Sequence, residues 1–523
     1  MNGPELYNIA LDCVDKNAQS LHNKHKTAMI AVGRDFTAKK LTFSNLEGLT
    51  NRIANALREL GFKQGERLLL RLGNGMEFPV TFLGAIKAGL IPIPISPLLT
   101  WHELQFLLED SESAVFVTSL STLPPELLKE KPECLRKTLL LTPPGAPLPP
   151  DCHRWEDLLK NASSDFKTEN TPADSPAFWL YTSGTEGKPK AVIHAHRSIP
   201  AHDGRARLWQ DVKADDLIFN TSALHWSYAL TCGMLDLWRH GLPTLIYSGE
   251  LSAEKITRLV KQFGVTIFMS VPGIYRRLGD HLRENDDAFS KVRICLSAGE
   301  KLGEETRKRF RTLAGLDIYE GLGMTEHSVY LVQRYGDPIV PKSCGQAVPG
   351  ATVSILRENL SEAKPGETGI LASHRSCPGL MLGYYRRPEE EAAAFKGDWF
   401  LSGDLASLDE AGNFFFEGRR DDVITSGGYR ISPLEVERVL NECDLVQESA
   451  VVGAEGEAGQ TWVRAFVVLN QKGNLSKEAE NQIRLHAEKH LAKFKTPREM
   501  IVVDSLPKTE SGKIKRKELK RKG

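Results

Sequence analysis

The chain has 523 residues, and its 67 lysines and arginines are matched by 67 aspartates and glutamates, so its formal net charge is zero. Proteins that hold nucleic acid or anionic lipid through their whole surface carry a large positive excess, and that class of partner is excluded. With 41% hydrophobic and 26% charged residues, the composition is that of a folded globular protein, far from disordered, collagenous or membrane classes.

Residues 1–19 are too charged for a signal peptide. Apolar residues at helical spacing over 44–60 (Leu46, Leu49, Ile53, Ala56, Leu57) predict a helix, and Gly61 and Gly65 then punctuate before a buried strand at 67–72. The rhythm repeats as a helix at 78–89, a strand at 91–95, a helix at 103–111 and a strand at 114–117. The most apolar stretch, 82–99, is interrupted by Lys87, Pro92, Pro94 and Pro97, so no membrane span is expected. A Pro-rich segment at 141–151 and a polar one at 161–175 read as loops. Alternation resumes with strands at 177–181, 217–221, 244–246 and 265–270 and helices at 196–209, 233–239 and 252–263. Such alternation implies doubly wound parallel sheets. From 350 to 418 short strands separated by Gly, Asn and Asp turns predict a small antiparallel, barrel-like part. The last hundred residues predict an α+β unit, with helices at 433–441 and 476–490 and strands at 448–453, 463–469 and 499–503. The expected fold is therefore α/β, with a large N-terminal domain over 1–418 and a small mobile α+β domain over 419–523. The eight cysteines include no Cys-x-x-Cys pair, which argues against a disulfide framework or zinc cluster and for reduced thiols in a cytoplasmic protein.

The strongest local signal is the decapeptide 181–190, Tyr-Thr-Ser-Gly-Thr-Glu-Gly-Lys-Pro-Lys. Gly184 and Gly187 allow a tight turn and close backbone approach, Thr182, Ser183 and Thr185 supply hydroxyl donors, and Lys188 and Lys190 supply charge. A polyphosphate suits such a loop. It is not a Walker A loop, because two residues rather than four separate its glycines. Likewise 295–299, Cys-Leu-Ser-Ala-Gly, lacks the first glycine of a hydrolase nucleophile elbow.

The decapeptide resembles the signature loop of the adenylate-forming superfamily: acyl- and aryl-CoA synthetases, adenylation domains and luciferases. Further matches follow in order at 321–326 (Gly-Leu-Gly-Met-Thr-Glu), 402–405 (Ser-Gly-Asp-Leu), 418–424 with Gly427 and Gly428, and 507–513 (Pro-Lys-Thr-Glu-Ser-Gly-Lys). The resemblance implies a ligase that uses ATP, Mg²⁺ and coenzyme A, adenylating a carboxylic acid with release of pyrophosphate and then forming a thioester with release of AMP. It implies Lys513 as the catalytic lysine, Thr325 beside the α-phosphate and Glu326 as the Mg²⁺ ligand. Ala298, Gly299, Glu300, Glu320, Gly321, Leu322 and Gly323 join the signature loop as nucleotide contacts, and Asp404 and Arg419 hold the ribose. Asp421 matches the hinge, and Gly427, Gly428, Trp462, Phe494, Lys495 and Arg498 the coenzyme A path. Homodimerisation is a further expectation.

Leu322 departs from the aromatic found there in many relatives and, with the run Ser297–Glu300, resembles benzoate-type ligases. The acyl wall is expected at His225, Trp226, Ser227 and Tyr228, with His327 and Tyr330; core packing is the alternative for His225 and Trp226. No Asp or Glu lies in 223–229, which disfavours an α-amino acid, whose ammonium would be buried unpaired. An aryl or medium-chain acid is expected, benzoate-like first. The alternatives are a stand-alone enzyme that loads a carrier protein and a non-catalytic AMP/ATP-binding protein.

Overall fold

The computed structural model describes residues 5–183, 189–283, 287–422, 424–426, 429–455, 461–470, 476–491, 495–509 and 512–521. The chain falls into two compact units, one of residues 1–352 and 375–398, the other of 353–374 and 399–523. The strands expected to close the N-terminal domain thus group with the C-terminal residues.

In the first unit, a five-stranded parallel sheet runs in the order Ile91–Pro94, Arg67–Arg71, Val115–Ser119, Lys137–Leu141, Cys152–Arg154. Its central strands are apolar on both faces because helices cover both, and Leu68, Leu69 and Leu70 are fully buried. The covering helices start where side chains can cap them. Thr42 and Asn45 form a capping box for Phe43–Glu59, and Thr100 and Glu103 form another for Trp101–Ser111.

A nine-stranded sheet follows, ordered Gln346–Ala347, Ser328–Val332, Ile318–Met324, Ile294–Ala298, Ile267–Ser270, Ile218–Asn220, Thr244–Tyr247, Thr27–Val32, Ala38–Thr42. The strands from Ile318–Met324 through Thr27–Val32 pair in parallel, and the pairs outside them are antiparallel. The helices Ala253–Phe263, Pro272–His281 and Glu304–Ala314 belong to this half. Phe268, Tyr275, Phe289 and Phe310 seal part of its core in edge-to-face contacts. A third sheet joins the hairpin Pro176–Ser183 and Pro189–Ala195 to the short strand Gly383–Tyr384.

Two expected helices differ. The helix predicted over 196–209 is split into 3₁₀ turns at His196–Ser198 and Pro200–His202 before a short helix, Asp203–Leu208. Pro200 has no amide hydrogen for a continuous helix. The helix predicted from Gly233 begins earlier, as a π-helix over Tyr228–Leu235 that continues into Asp236–Arg239.

The second unit opens with the antiparallel strands Val353–Leu356, Gly369–His374, Trp399–Leu408 and Phe414–Arg419, whose path does not close into a barrel among the described residues. The hairpin Ile424–Ser426 and Tyr429–Ile431 and the helix Pro433–Asn441 come next, then a sheet of Val446–Glu455, Thr461–Leu469 and Glu499–Val502. Ile431, Val436, Leu440, Val451 and Ile483 form its core.

Candidate functional site

The signature hairpin positions Thr182 opposite Lys190 and Ser183 opposite Pro189. Gly184, Thr185, Gly187 and Lys188 lie outside the described residues. The ammonium of Lys190 sits 3.8 Å from the centroid of the Tyr384 ring, a cation–π arrangement. Tyr384 reaches this position because Gly383–Tyr384 pairs with the returning strand of the hairpin. Its hydroxyl donates to Glu326 Oε1 at 2.8 Å, and the Glu326 carbonyl accepts from the Met381 amide at 2.8 Å. His194, on the same returning strand, stacks on Phe178 at 4.8 Å. Burial pushes its imidazole down to about 3, so it stays neutral. The signature hairpin and the Glu326 turn are thus joined by Tyr384. Neither Tyr384 nor His194 stood out in the sequence; the Gly-Tyr-Tyr run at 383–385 was the one local signal.

The glycines before Glu326 are required by close approach. A Cβ on Gly321 would lie 2.8 Å from Trp209 Cζ2, and one on Gly323 would lie 2.1 Å from the Ser328 carbonyl oxygen. Strand pairing brings Ala298 beside Gly321, and Gly299 takes a left-handed turn at φ 97°, so Ala298, Gly299, Glu300, Leu322 and Gly323 share one end of the sheet. Glu320 is turned elsewhere. Its buried carboxylate accepts from the Leu302 amide at 2.7 Å and pairs with Arg307, and burial raises its pKa. That brace orients the loop after Ala298.

Among the acyl-wall candidates, His225 and Trp226 meet edge to face at 6.0 Å, and His327 stacks on Tyr330 at 4.5 Å. Burial pushes His225 down to about 4 and His327 to about 3. Tyr228 is buried against Trp209, at 6.2 Å between centroids, and its hydroxyl donates to the Leu296 carbonyl at 3.4 Å. The Ser227 hydroxyl has no hydrogen-bond partner among the described residues. These aromatic and imidazole groups carry no net charge.

In the second unit, Asp404 and Arg419 face each other across paired strands, joined at 2.7 Å. Gly403 precedes them at φ 74°. Asp421 lies in the 3₁₀ turn Arg420–Asp422; Gly427, Gly428 and Phe494 lie outside the described residues. The Arg498 guanidinium is 5.2 Å from the Trp462 ring centroid, so these two candidates meet. Lys495 is held by Glu435 at 2.6 and 2.8 Å. Lys513 is exposed, and its backbone is fixed by Thr509, whose hydroxyl accepts from the Lys513 amide at 3.1 Å.

Residues 16–385 match the AMP-binding enzyme family, and residues 435–513 match the AMP-binding enzyme C-terminal domain. The chain belongs to the AMP-binding enzyme family. This AMP-binding enzyme is 34% identical over 503 residues to an uncharacterized acyl–CoA ligase of Bacillus subtilis (strain 168), covering 95% of this chain and 93% of the relative. It is 32% identical to a benzoate–CoA ligase of Thauera aromatica, over 99% and 96% of the two chains. Its structure resembles that of the anthranilate CoA ligase AuaEII in complex with anthranoyl-AMP, with a TM-score of 0.87 and 27% identity over 99% of this chain and 98% of that one.

The donor set of this AMP-binding enzyme suits a cation that takes most of its ligands from elsewhere. No group of three or more His, Cys, Asp or Glu residues able to hold a metal occurs among the described residues. Glu326 offers one half-buried carboxylate whose Oε1 is fixed by Tyr384. One carboxylate completed by phosphate oxygens and water is a Mg²⁺ arrangement, not a structural zinc one. Among the described residues no helix is long and apolar enough to cross a membrane.

Proposed function

We propose that this chain is an AMP-forming carboxylate–CoA ligase for a neutral aryl or medium-chain acid, benzoate-like first. In the first half-reaction a carboxylate oxygen attacks the α-phosphorus of ATP, the bond to the bridging oxygen breaks, and pyrophosphate leaves. In the second, the sulfur of coenzyme A attacks the acyl carbon, the thiol proton passes to solvent, and AMP leaves. The observation that carries this reading is the Tyr384 bridge, which holds the Lys190 ammonium over its ring and the Glu326 carboxylate at its hydroxyl.

Mutual repulsion between a carboxylate and a triphosphate is the obstacle, so opposite charge has to be fixed in advance. Lys190 and the signature loop receive phosphate, and Thr325 and Glu326 close the other side. When bound, Mg²⁺ would supply charge neutralisation at the phosphates, with Glu326 as its protein ligand. Asp404 and Arg419 receive the ribose, Lys513 serves adenylation, Asp421 is the hinge of a mobile domain starting at 419, and Trp462 and Arg498 contact coenzyme A. The neutral wall of His225, Trp226, Tyr228, His327 and Tyr330 supports an acid with no second charge, because none of these side chains would pair with an ammonium or second carboxylate buried against them.

The test is acid-dependent ATP–pyrophosphate exchange and thioester formation with purified protein, ATP, Mg²⁺, coenzyme A and a panel of acids. Turnover of benzoate-like or C6 to C10 acids is expected; exclusive use of dicarboxylates, amino acids or acids of C12 and longer would refute the substrate class.

A further inference from the structure

Ser328 lies two residues after Glu326 and has φ 53°, in the left-handed region. A side chain other than glycine persists there when its surroundings hold it, and here they do. The buried Ser328 Oγ accepts from Arg205 Nη1 at 2.7 Å and shares a hydrogen bond with Thr231 Oγ1 at 2.8 Å. The same Nη1 donates to the Val329 carbonyl at 3.2 Å. Arg205 is fully buried, with Nε donating to Asp236 Oδ2 at 2.7 Å and Nη2 donating to His202 Nδ1 at 2.8 Å. Thr231 belongs to the π-helix that begins at Tyr228, and Asp236 opens the helical turn that continues it. One guanidinium fork therefore clasps the helix of the acyl wall to the chain just beyond the carboxylate that faces the phosphates.

We propose that Arg205, oriented by Asp236, is a positioning residue that fixes the Glu326 carboxylate through Ser328, so that the acyl-side helix and the cation-side turn move as one body. This rests on the reading of Glu326 as the cation ligand. A buried network that served stability alone would lower the melting temperature and leave cation affinity unchanged. One that orients a ligand changes the affinity, by about 10- to 100-fold where such supporting partners have been removed from metal sites.

The experiment uses the full chain and Mn²⁺ with ATP as the probe, reading free Mn²⁺ by electron paramagnetic resonance, with melting temperatures alongside. Ser328→Ala removes the hydroxyl, and Arg205→Lys keeps the charge beside Asp236 but loses the fork. Thr50→Val removes a comparably buried hydroxyl, bonded to the Leu46 carbonyl at 2.9 Å, far from this network. Glu326→Gln reports on the ligand itself. Ser328→Ala and Arg205→Lys should each weaken Mn²⁺ binding in the presence of ATP about tenfold, as Glu326→Gln does, while Thr50→Val leaves it unchanged. If Glu326→Gln weakens binding and both Ser328→Ala and Arg205→Lys match the wild type, the positioning role is overturned and the site reading stands. Unchanged binding in Glu326→Gln overturns the site reading, and this inference with it.

Discussion

Replacing Arg516 by methionine should loosen the segment that carries Lys513, and by an amount that depends on pH. Arg516 opens the helix Arg516–Arg521, three residues beyond Lys513, and its Nη2 donates to both oxygens of Glu437 at 2.7 and 2.6 Å. Glu437 Oε1 also accepts from the Val451 amide at 2.6 Å. The two side chains are 14% and 6% exposed, so the pair is nearly dry. Removing one partner of such a pair costs about 3–5 kcal/mol, because the other charge stays buried; the residual exposure of Arg516 favours the lower end. Burial already raises the Glu437 pKa even with Arg516 in place, and Asp422 raises it further. In the variant the Val451 amide remains as an opposing interaction. A carboxyl whose folded pKa exceeds its unfolded value is most stabilising when protonated, below the unfolded pKa. That contribution is lost as pH rises through the folded pKa, by at most about 1.4 kcal/mol per pH unit. Hydrogen exchange of the strand Val446–Glu455 in the full-length protein, corrected for intrinsic rates, reads the effect at the Val451 amide itself. The variant should lose about 3 kcal/mol of protection at pH 8 and at least about 1 kcal/mol less at pH 5.5. A loss under about 1 kcal/mol, or one equal at both pH values, would refute the reasoning.

Tyr384→Phe keeps the ring beneath Lys190 and deletes the hydroxyl bonded to Glu326; loss of one hydrogen bond to a charged group is worth about 1.5 kcal/mol, so the Mg²⁺ concentration for half-maximal pyrophosphate exchange should rise about tenfold with little change in melting temperature. Asp404→Asn halves the carboxyl acceptors that serve Arg419 and, in the proposed role, the ribose, so the KM for ATP should rise about 10- to 100-fold while the KM for the acid stays within a factor of about two, measured by initial rates. Lys513→Ala should abolish acid-dependent pyrophosphate release yet largely spare thioester formation from preformed acyl-AMP; equal loss in both half-reactions would remove Lys513 from its adenylation role.

What the sequence makes legible is what local physics determines. The Gly, hydroxyl and Lys content of 181–190 suggests a phosphate loop, whose residues 184–188 lie outside the described residues, and the turn at 409–413 is visible in its Asp, Gly and Asn, where the Asn413 amide donates to Asp409 Oδ1 at 2.7 Å. Contacts made across the sheet leave no such trace. Tyr384 lies 58 residues from Glu326 and meets it because a two-residue strand happens to pair with the signature hairpin. The helix that begins at Tyr228 packs closely enough that a Cβ on Gly233 would lie 2.8 Å from the Asn220 side chain, a contact the local sequence does not announce. At Glu320 the resemblance suggested a nucleotide contact without showing what the side chain does; its carboxylate pairs with Arg307, from the helix Glu304–Ala314, across a contact that leaves no local trace.

The neutral histidines carry a consequence for acid stability. His194 and His327 are held near 3 and His225 near 4 by burial, whereas an unfolded chain protonates them near 6.5. Their folded state is therefore fully favoured above the unfolded value, and each forfeits up to about 1.4 kcal/mol for every pH unit of acidification until its folded value is reached. Together they impose a slope of about 4 kcal/mol per pH unit on the first unit well below neutrality. The buried neutral imidazoles thus make the body that contains them acid-labile, and mild acid should loosen the segments around His225 and His327, which lie outside the paired strands, before it separates the strand that carries His194.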